Sequence, residues 1–177
     1  MGQQWHLRIM HVQKTEGERE QTMRITKYTT LLGESNTARL IKEGATNYPQ
    51  EDRMDSPEKI VRMLDGLYGA SLQTEEVVWL VTADNKMRNV GVFELSRGAT
   101  DMSVIDARSV FMKALLCNAR YIILAHDHPS GDPAPSKDDL AAMKNIIECG
   151  KMLGLPLRDF LIIGQGQYWS GAEEGFL

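Results

Sequence analysis

The sequence predicts an α/β fold built around one mixed β-sheet, and three observations carry that prediction. From residue 56 onward, short β-rich apolar runs interleave with amphipathic helical stretches. Two of those helical stretches open on a capping serine, Ser56 and Ser136, and the first closes on Gly69. Apolar residues make up 42% of the 177, enough to bury the core of one domain of ordinary size.

Each element has its own signal. Residues 1–24 are polar and read as a frayed arm or a hairpin, with strand-like alternation in Trp5-His6-Leu7-Arg8-Ile9. His6 and His11 are expected to be exposed there. Residues 25–54 suggest one helix, around Asn36–Lys42, before Gly44 and Pro49 break the pattern. Residues 1–54 are therefore expected to be a partly ordered N-terminal extension, and 55–177 the main domain. Ser56-Pro57-Glu58-Lys59 is an N-cap followed by proline at the first helical position. Ile60, Met63, Leu64 and Leu67 recur at helical spacing, and Gly69 ends that helix. Val77–Thr82 is a buried strand, and Asp84-Asn85-Lys86 is a turn. Val90–Leu95 completes a hairpin. Asp106–Ala119 is a second helix, with Val110, Phe111, Ala114, Leu115 and Asn118 in register. Tyr121–Ala125 is a central strand, Ser136 opens a third helix to Leu153, and Asp159–Gly164 and Gln167–Ser170 are the last strands.

Composition narrows the function classes. The 20 basic residues are outnumbered by 24 acidic ones, so the basic surplus of a protein that lives on phosphate contacts is missing. This argues against direct nucleic-acid binding. Met1–His11 has no apolar signal core, and the longest apolar stretch near the middle, Tyr121–Ala125, is too short for a bilayer. A cytoplasmic location without a membrane partner is the expectation. Cys117 and Cys149 lie far apart inside presumptive helices, as two buried reduced thiols. Oligomeric state is open, although an edge strand within the first 25 residues would be able to pair with a second chain.

The chemistry concentrates in His126-Asp127-His128-Pro129-Ser130-Gly131-Asp132-Pro133-Ala134-Pro135-Ser136-Lys137-Asp138-Asp139. At a strand end, positions i and i+2 face the same side, roughly 6.6 Å apart along the backbone. His126 and His128 can therefore converge on one tetrahedral ion. Asp139, in the first turn of the next helix, adds a carboxylate. Three protein ligands with one position open is the pattern of a catalytic zinc. Three prolines stiffen the intervening loop and Gly131 keeps it tight, which lowers the entropy cost of bringing the ligands together. Asp139 also has a structural reading. Ser136 caps the helix, and Asp139 reaches back as the acidic member of a capping box. The two histidines weigh the balance toward metal.

The spacing His-x-His, seven residues, Ser, two residues, Asp resembles the JAMM (MPN+) metalloproteases. The text from Ala125 to Pro133, with Pro135-Ser136, resembles their RadC-like JAB branch over residues 55–177. That resemblance implies a three-layer α-β-α architecture, akin to the cytidine deaminases. It implies Zn2+ held by His126, His128 and Asp139, and Ser136 stabilising an oxyanion. It also implies a general base before an upstream strand. Glu75 and Glu76 both qualify, and counting eight residues back from Asp84 selects Glu76. The implied reaction is hydrolysis of an amide or isopeptide bond in an unidentified peptide or protein substrate. The sequence departs from the pattern at Asp127, commonly Asn in the family, at Ala107, where proline is usual, and at Phe160, where a histidine usually stands. The helix-hairpin-helix region of full-length relatives is not evident.

The rival readings fall into two classes, a non-enzymatic factor and a different metal hydrolase. The family's link to DNA repair allows a non-enzymatic accessory factor in DNA metabolism. A nucleobase deaminase would need His-x-Glu and Pro-Cys-x-x-Cys, which this chain lacks. A two-metal phosphoesterase would need more carboxylates than Asp139 alone.

Overall fold

Seven strands form one mixed sheet in the order β2-β1-β4-β3-β5-β6-β7. The computed structural model describes residues 22–49, 51–98 and 105–177. The expected strand around Trp5–Ile9, and His6 and His11, lie outside the described residues.

The strands are β1 (Met23–Leu32), β2 (Ala38–Tyr48), β3 (Val77–Ala83), β4 (Asn89–Arg97), β5 (Tyr121–Asp127), β6 (Leu157–Ile163) and β7 (Tyr168–Ser170). The helices are α1 (Pro57–Tyr68), α2 (Ala107–Leu116) and α3 (Lys137–Leu153). β5 is the central strand. It pairs antiparallel with β3 on one side and parallel with β6 on the other. Alternation along β5 divides the core. Ile123 and Ala125 face the α1 side, packed with Ile60, Met63, Leu64, Trp79 and Leu161. Ile122 and Leu124 face the α2 and α3 side, packed with Val110, Phe111, Met143, Ile146 and Phe160. This is the expected three-layer arrangement. Each Leu, Ile or Phe so buried contributes roughly 1.5–3 kcal/mol relative to exposure.

The sequence signals act as anticipated at the helix ends. The Ser56 side chain accepts from the Lys59 amide, Pro57 begins α1, and Gly69 closes it in the left-handed region (φ 62°). Asp106 caps α2 by accepting from the Arg108 and Ser109 amides. α2 is shorter than expected. It stops at Leu116, Leu115 is 58% exposed, and Asn118 sits at φ 56°. Cys117 therefore lies just past the helix, and both cysteines are half-buried free thiols.

The expected helix in the N-terminal region is overturned. Asn36–Lys42 is not a helix: residues 38–42 are the start of β2, antiparallel to β1 with Thr29 opposite Ile41. Only a 3-10 turn, Glu34–Asn36, bends the chain, with Ser35 and Asn36 at positive φ. The partnership with β1 satisfies the backbone, and this stretch offers no strand-like side-chain pattern because its side chains are largely exposed. The hairpin then joins the sheet by running parallel to β4, with Lys27 opposite Val92.

Candidate metal centre

His126 belongs to β5 itself, and its alternation with Ile122 and Leu124 turns the ring toward the α3 face. The backbone pairs it with Val78 of β3 and Ile162 of β6, so its position is set from both sides. His128 lies one residue past the strand. Its amide donates to the Ile163 carbonyl at 2.9 Å, which extends the alignment beyond β5. The loop then turns tightly. The Gly131 amide donates to the His128 carbonyl (2.8 Å), and the Gln165 amide donates to the Gly131 carbonyl (3.1 Å). Gly131 adopts φ 81°, which glycine takes without strain. Across from it, a side chain at Gly164 would run into the Gly131 carbonyl. Both glycines let the loop lie flat on the end of β6.

Three side chains converge. His126, His128 and Asp139 offer ligand atoms that all lie within 4.8 Å of one another. Asp139 Oδ1 is 3.3 Å from His126 Nε2, and Oδ2 is 3.7 Å from His128 Nε2. His126 is 0% and Asp139 1% exposed. The capping and metal readings of Asp139 hold together, because its two oxygens divide the work. Oδ2 accepts from the Ser136 amide at 2.7 Å, and Ser136 Oγ accepts in return from the Asp139 amide at 3.1 Å. Oδ1 has no hydrogen-bond partner.

Glu76 enters from the residue before β3. Its Oε1 stands 3.1 Å from His126 Nδ1, on the opposite side of the ring from Asp139. Glu75 turns elsewhere, its carboxylate lying over Gly98. Ser136 lies at the rim, with its hydroxyl proton left to donate while Oγ accepts in the cap.

The donor set fits a cation. Glu76 Oε1, both ring nitrogens of His126 and Asp139 Oδ1 are buried and without hydrogen-bond partners, with one carboxylate oxygen beside each ring nitrogen. Buried polar groups are otherwise almost always satisfied. Two carboxylates against one buried imidazole leave negative charge that a divalent ion offsets. His128 is prepared for the same task. Its Nδ1 lies 2.7 Å from the Asp132 carbonyl, which fixes Nδ1 as the donor and frees Nε2 as a lone-pair ligand.

Three supporting contacts refine the sequence reading. Asp127 points to the opposite face of the sheet, as expected for the residue between two ligands. There its Oδ1 accepts from the Val77 amide at 2.8 Å. This ties the start of β3, and with it Glu76, to the histidine strand. Burial pushes the Asp127 carboxyl above its ordinary range, against the lowering effect of that bond. Phe160 packs its ring edge-on to His126, with centroids 5.6 Å apart and planes at 67°. The position that departs from the family thus abuts a ligand directly, and gives it an apolar wall in place of a polar group. The Asp132 carbonyl had no signal in the sequence, because any residue could supply it.

Comparison with known proteins follows this geometry. Residues 54–176 match the family model described as the RadC-like JAB domain. A UPF0758 protein of Methanococcoides burtonii is 35% identical over 129 residues, covering 70% of this chain and 56% of its own length. One from Clostridium perfringens is 39% identical over 103 residues, covering 58% and 45% respectively. One from Thermotoga maritima is 39% identical over 102 residues, covering 58% and 46%. The chain spans about half the length of these curated relatives.

Proposed function

The chain belongs to the RadC-like JAB domain family, and from that premise we propose that it is a zinc-dependent hydrolase of amide or isopeptide bonds. The observation that carries this reading is the cluster of buried, unsatisfied donors around His126, Asp139 and Glu76. His126, His128 and Asp139 would hold Zn2+, which supplies Lewis acidity for making water nucleophilic near neutral pH.

The chain's own residues do the rest. The Glu76 carboxylate accepts the proton of the attacking water and returns it to the leaving amine. Its carboxylate is 18% exposed, so it meets both solvent and the buried ring. Ser136 Oγ–H donates to the oxyanion as charge develops on the former carbonyl oxygen. Its place in the capping box of α3 holds the hydroxyl still. The Asp132 carbonyl keeps His128 in one tautomer. Phe160 excludes water from the inner face of His126, which strengthens the charge interactions there. The substrate is a peptide or protein, and the compartment the cytoplasm. Among the described residues, no helix is long and apolar enough to cross a membrane.

The test is Glu76→Gln. Elemental analysis should find zinc retained, while turnover on a panel of peptide and isopeptide-linked substrates falls by about 10²–10⁴-fold. Unchanged turnover with zinc present would remove Glu76 from its role. Absence of any divalent metal in the unaltered protein, together with no chelator-sensitive hydrolysis, would defeat the whole reading. The rival accessory role in DNA metabolism predicts salt-dependent DNA binding instead, measurable as a slope against salt concentration.

A further inference from the structure

The β1–β2 hairpin, residues 23–48, lies outside the stretch matched by the family model and widens the sheet beyond β4. It ends the sheet with an eleven-residue strand. Among the described residues, β2 pairs only with β1 in the sheet, so over residues 39–43 its outer edge offers backbone donors and acceptors. The opposite edge, β7, is three residues long. A long edge is a template for another strand, and its side chains select which one.

We propose that β2 pairs antiparallel with β2 of a second copy of this chain, with Ile41 on the twofold axis. Two identical strands paired this way share an axis perpendicular to the sheet. The residue on the axis faces its own copy, and residues two before and two after it face each other. With Ile41 on the axis, Arg39 meets Glu43 of the second copy, twice by symmetry. Other centres fail. Lys42 or Glu43 on the axis opposes like charges, while Leu40 or Gly44 on the axis brings no opposite charges together.

The side chains stand where this register needs them. Thr29 lies opposite Ile41 and Leu31 opposite Arg39, so Arg39 and Ile41 share the α1 face of the sheet with Leu31. Glu43 points to that face too, since its Oε2 pairs with Lys27 Nζ at 3.2 Å. Ile41 is 39% and Leu31 58% exposed, and both would lose water at the seam. Arg39 and Glu43 are both exposed, Arg39 lying over Gly33 and Glu43 paired with Lys27 of its own chain, so the contact across the seam would draw Arg39 from Gly33 and share the Glu43 carboxylate. The register shift that sets Lys27 opposite Gly44 and Tyr28 opposite Lys42 leaves Glu43 unmatched in β1. That bulge ends the regular run, so the pairing is confined to residues 39–43 and further strands are not recruited.

Sedimentation equilibrium of the full chain tests the proposal. The apparent mass should rise with concentration from 19.9 kDa toward twice that value. Arg39→Glu alone opposes two glutamates across the axis, and Glu43→Arg alone opposes two arginines. Each should stay monomeric at concentrations where the unaltered chain is half dimeric, a loss of at least about tenfold in association. Mixed one to one, the two variants bring glutamate against arginine at both contacts, and association should return. Should either variant fail to fold by circular dichroism, Ile41→Lys gives the same reading, with monomer expected. A monomeric unaltered chain at all concentrations overturns the proposal. So does undiminished association in the variants, or failure of the folded pair to recover on mixing.

Discussion

Asp139 and Asp159 are the same residue type, buried to nearly the same degree, at 1% and 3% exposure, and they live in opposite circumstances. Asp159, in β6, is fully engaged. Ser170 Oγ donates to both its oxygens (3.0 and 2.8 Å), and the amides of Phe160 and Ala172 donate at 2.8 and 3.1 Å. Asp139 uses one oxygen in its helix cap and leaves the other facing an imidazole without a bond. Burial alone therefore does not mark a functional carboxylate. An unanswered lone pair does, because folding should not leave one buried unless something else occupies it. Asp159 fastens the C-terminal segment to β6. Asp139 completes a site.

The contrast can be broken at its strongest point first. Asp139→Asn removes the anionic ligand and should weaken metal binding by more than the roughly 10–100-fold typical of outer-shell partners, read by chelator competition and metal content. Without metal the sign reverses. The same variant relieves carboxylate crowding around His126, and the thermal midpoint of the metal-free protein should rise by roughly 2–4 °C, equivalent to about 1 kcal/mol. Normal metal content would reduce Asp139 to a cap. Gly164→Ala attacks the support of His128. The new methyl meets the Gly131 carbonyl, and the expected cost is about 1–3 kcal/mol in chemical denaturation, with weakened metal affinity. Ser170→Ala strips the hydroxyl from Asp159 and should cost about 1–3 kcal/mol while leaving metal content unchanged. Lost metal there would mean that the two carboxylates are coupled.

The smallest effect is a pH dependence. Burial raises the Asp159 carboxyl above its ordinary 3.8, against the lowering effect of the donors at Ala172, Ser170 and Phe160. The folded state then binds this proton more tightly than the unfolded one. The stabilisation from this group is fully present below 3.8 and is lost as pH rises through the higher folded value. Asp159→Asn cannot titrate. The stability difference between the unaltered chain and this variant should shift against the unaltered chain as pH climbs through that window. A difference independent of pH would show that Asp159 titrates alike in both states.

Much of the architecture was legible because local chemistry and burial agree. Ser56-Pro57 and Ser136 cap the helices they announce, and Val77–Thr82 is buried along its length. The convergence of His126, His128 and Asp139 was legible because strand alternation and a helix start fix directions, not just positions. The hairpin was not. Arg39, Ile41, Lys42 and Glu43 are exposed, so burial imposed no alternation on them, and the evidence for a strand lies in backbone bonds to β1. The Asp132 carbonyl and the hold of Asp127 on Val77 stayed hidden for a related reason. A main-chain atom has no sequence signature, and an Asp between two histidines gives no hint of which amide it will meet.

Asp139 also joins two processes in one side chain. The carboxylate that would greet an arriving ion is the one that fastens the first turn of a seventeen-residue helix. Occupancy of the site and order at the head of α3 are thus written on a single side chain. Chelation should therefore be felt as loosening at that end of the helix, so that the first turn reports on whether the protein is loaded.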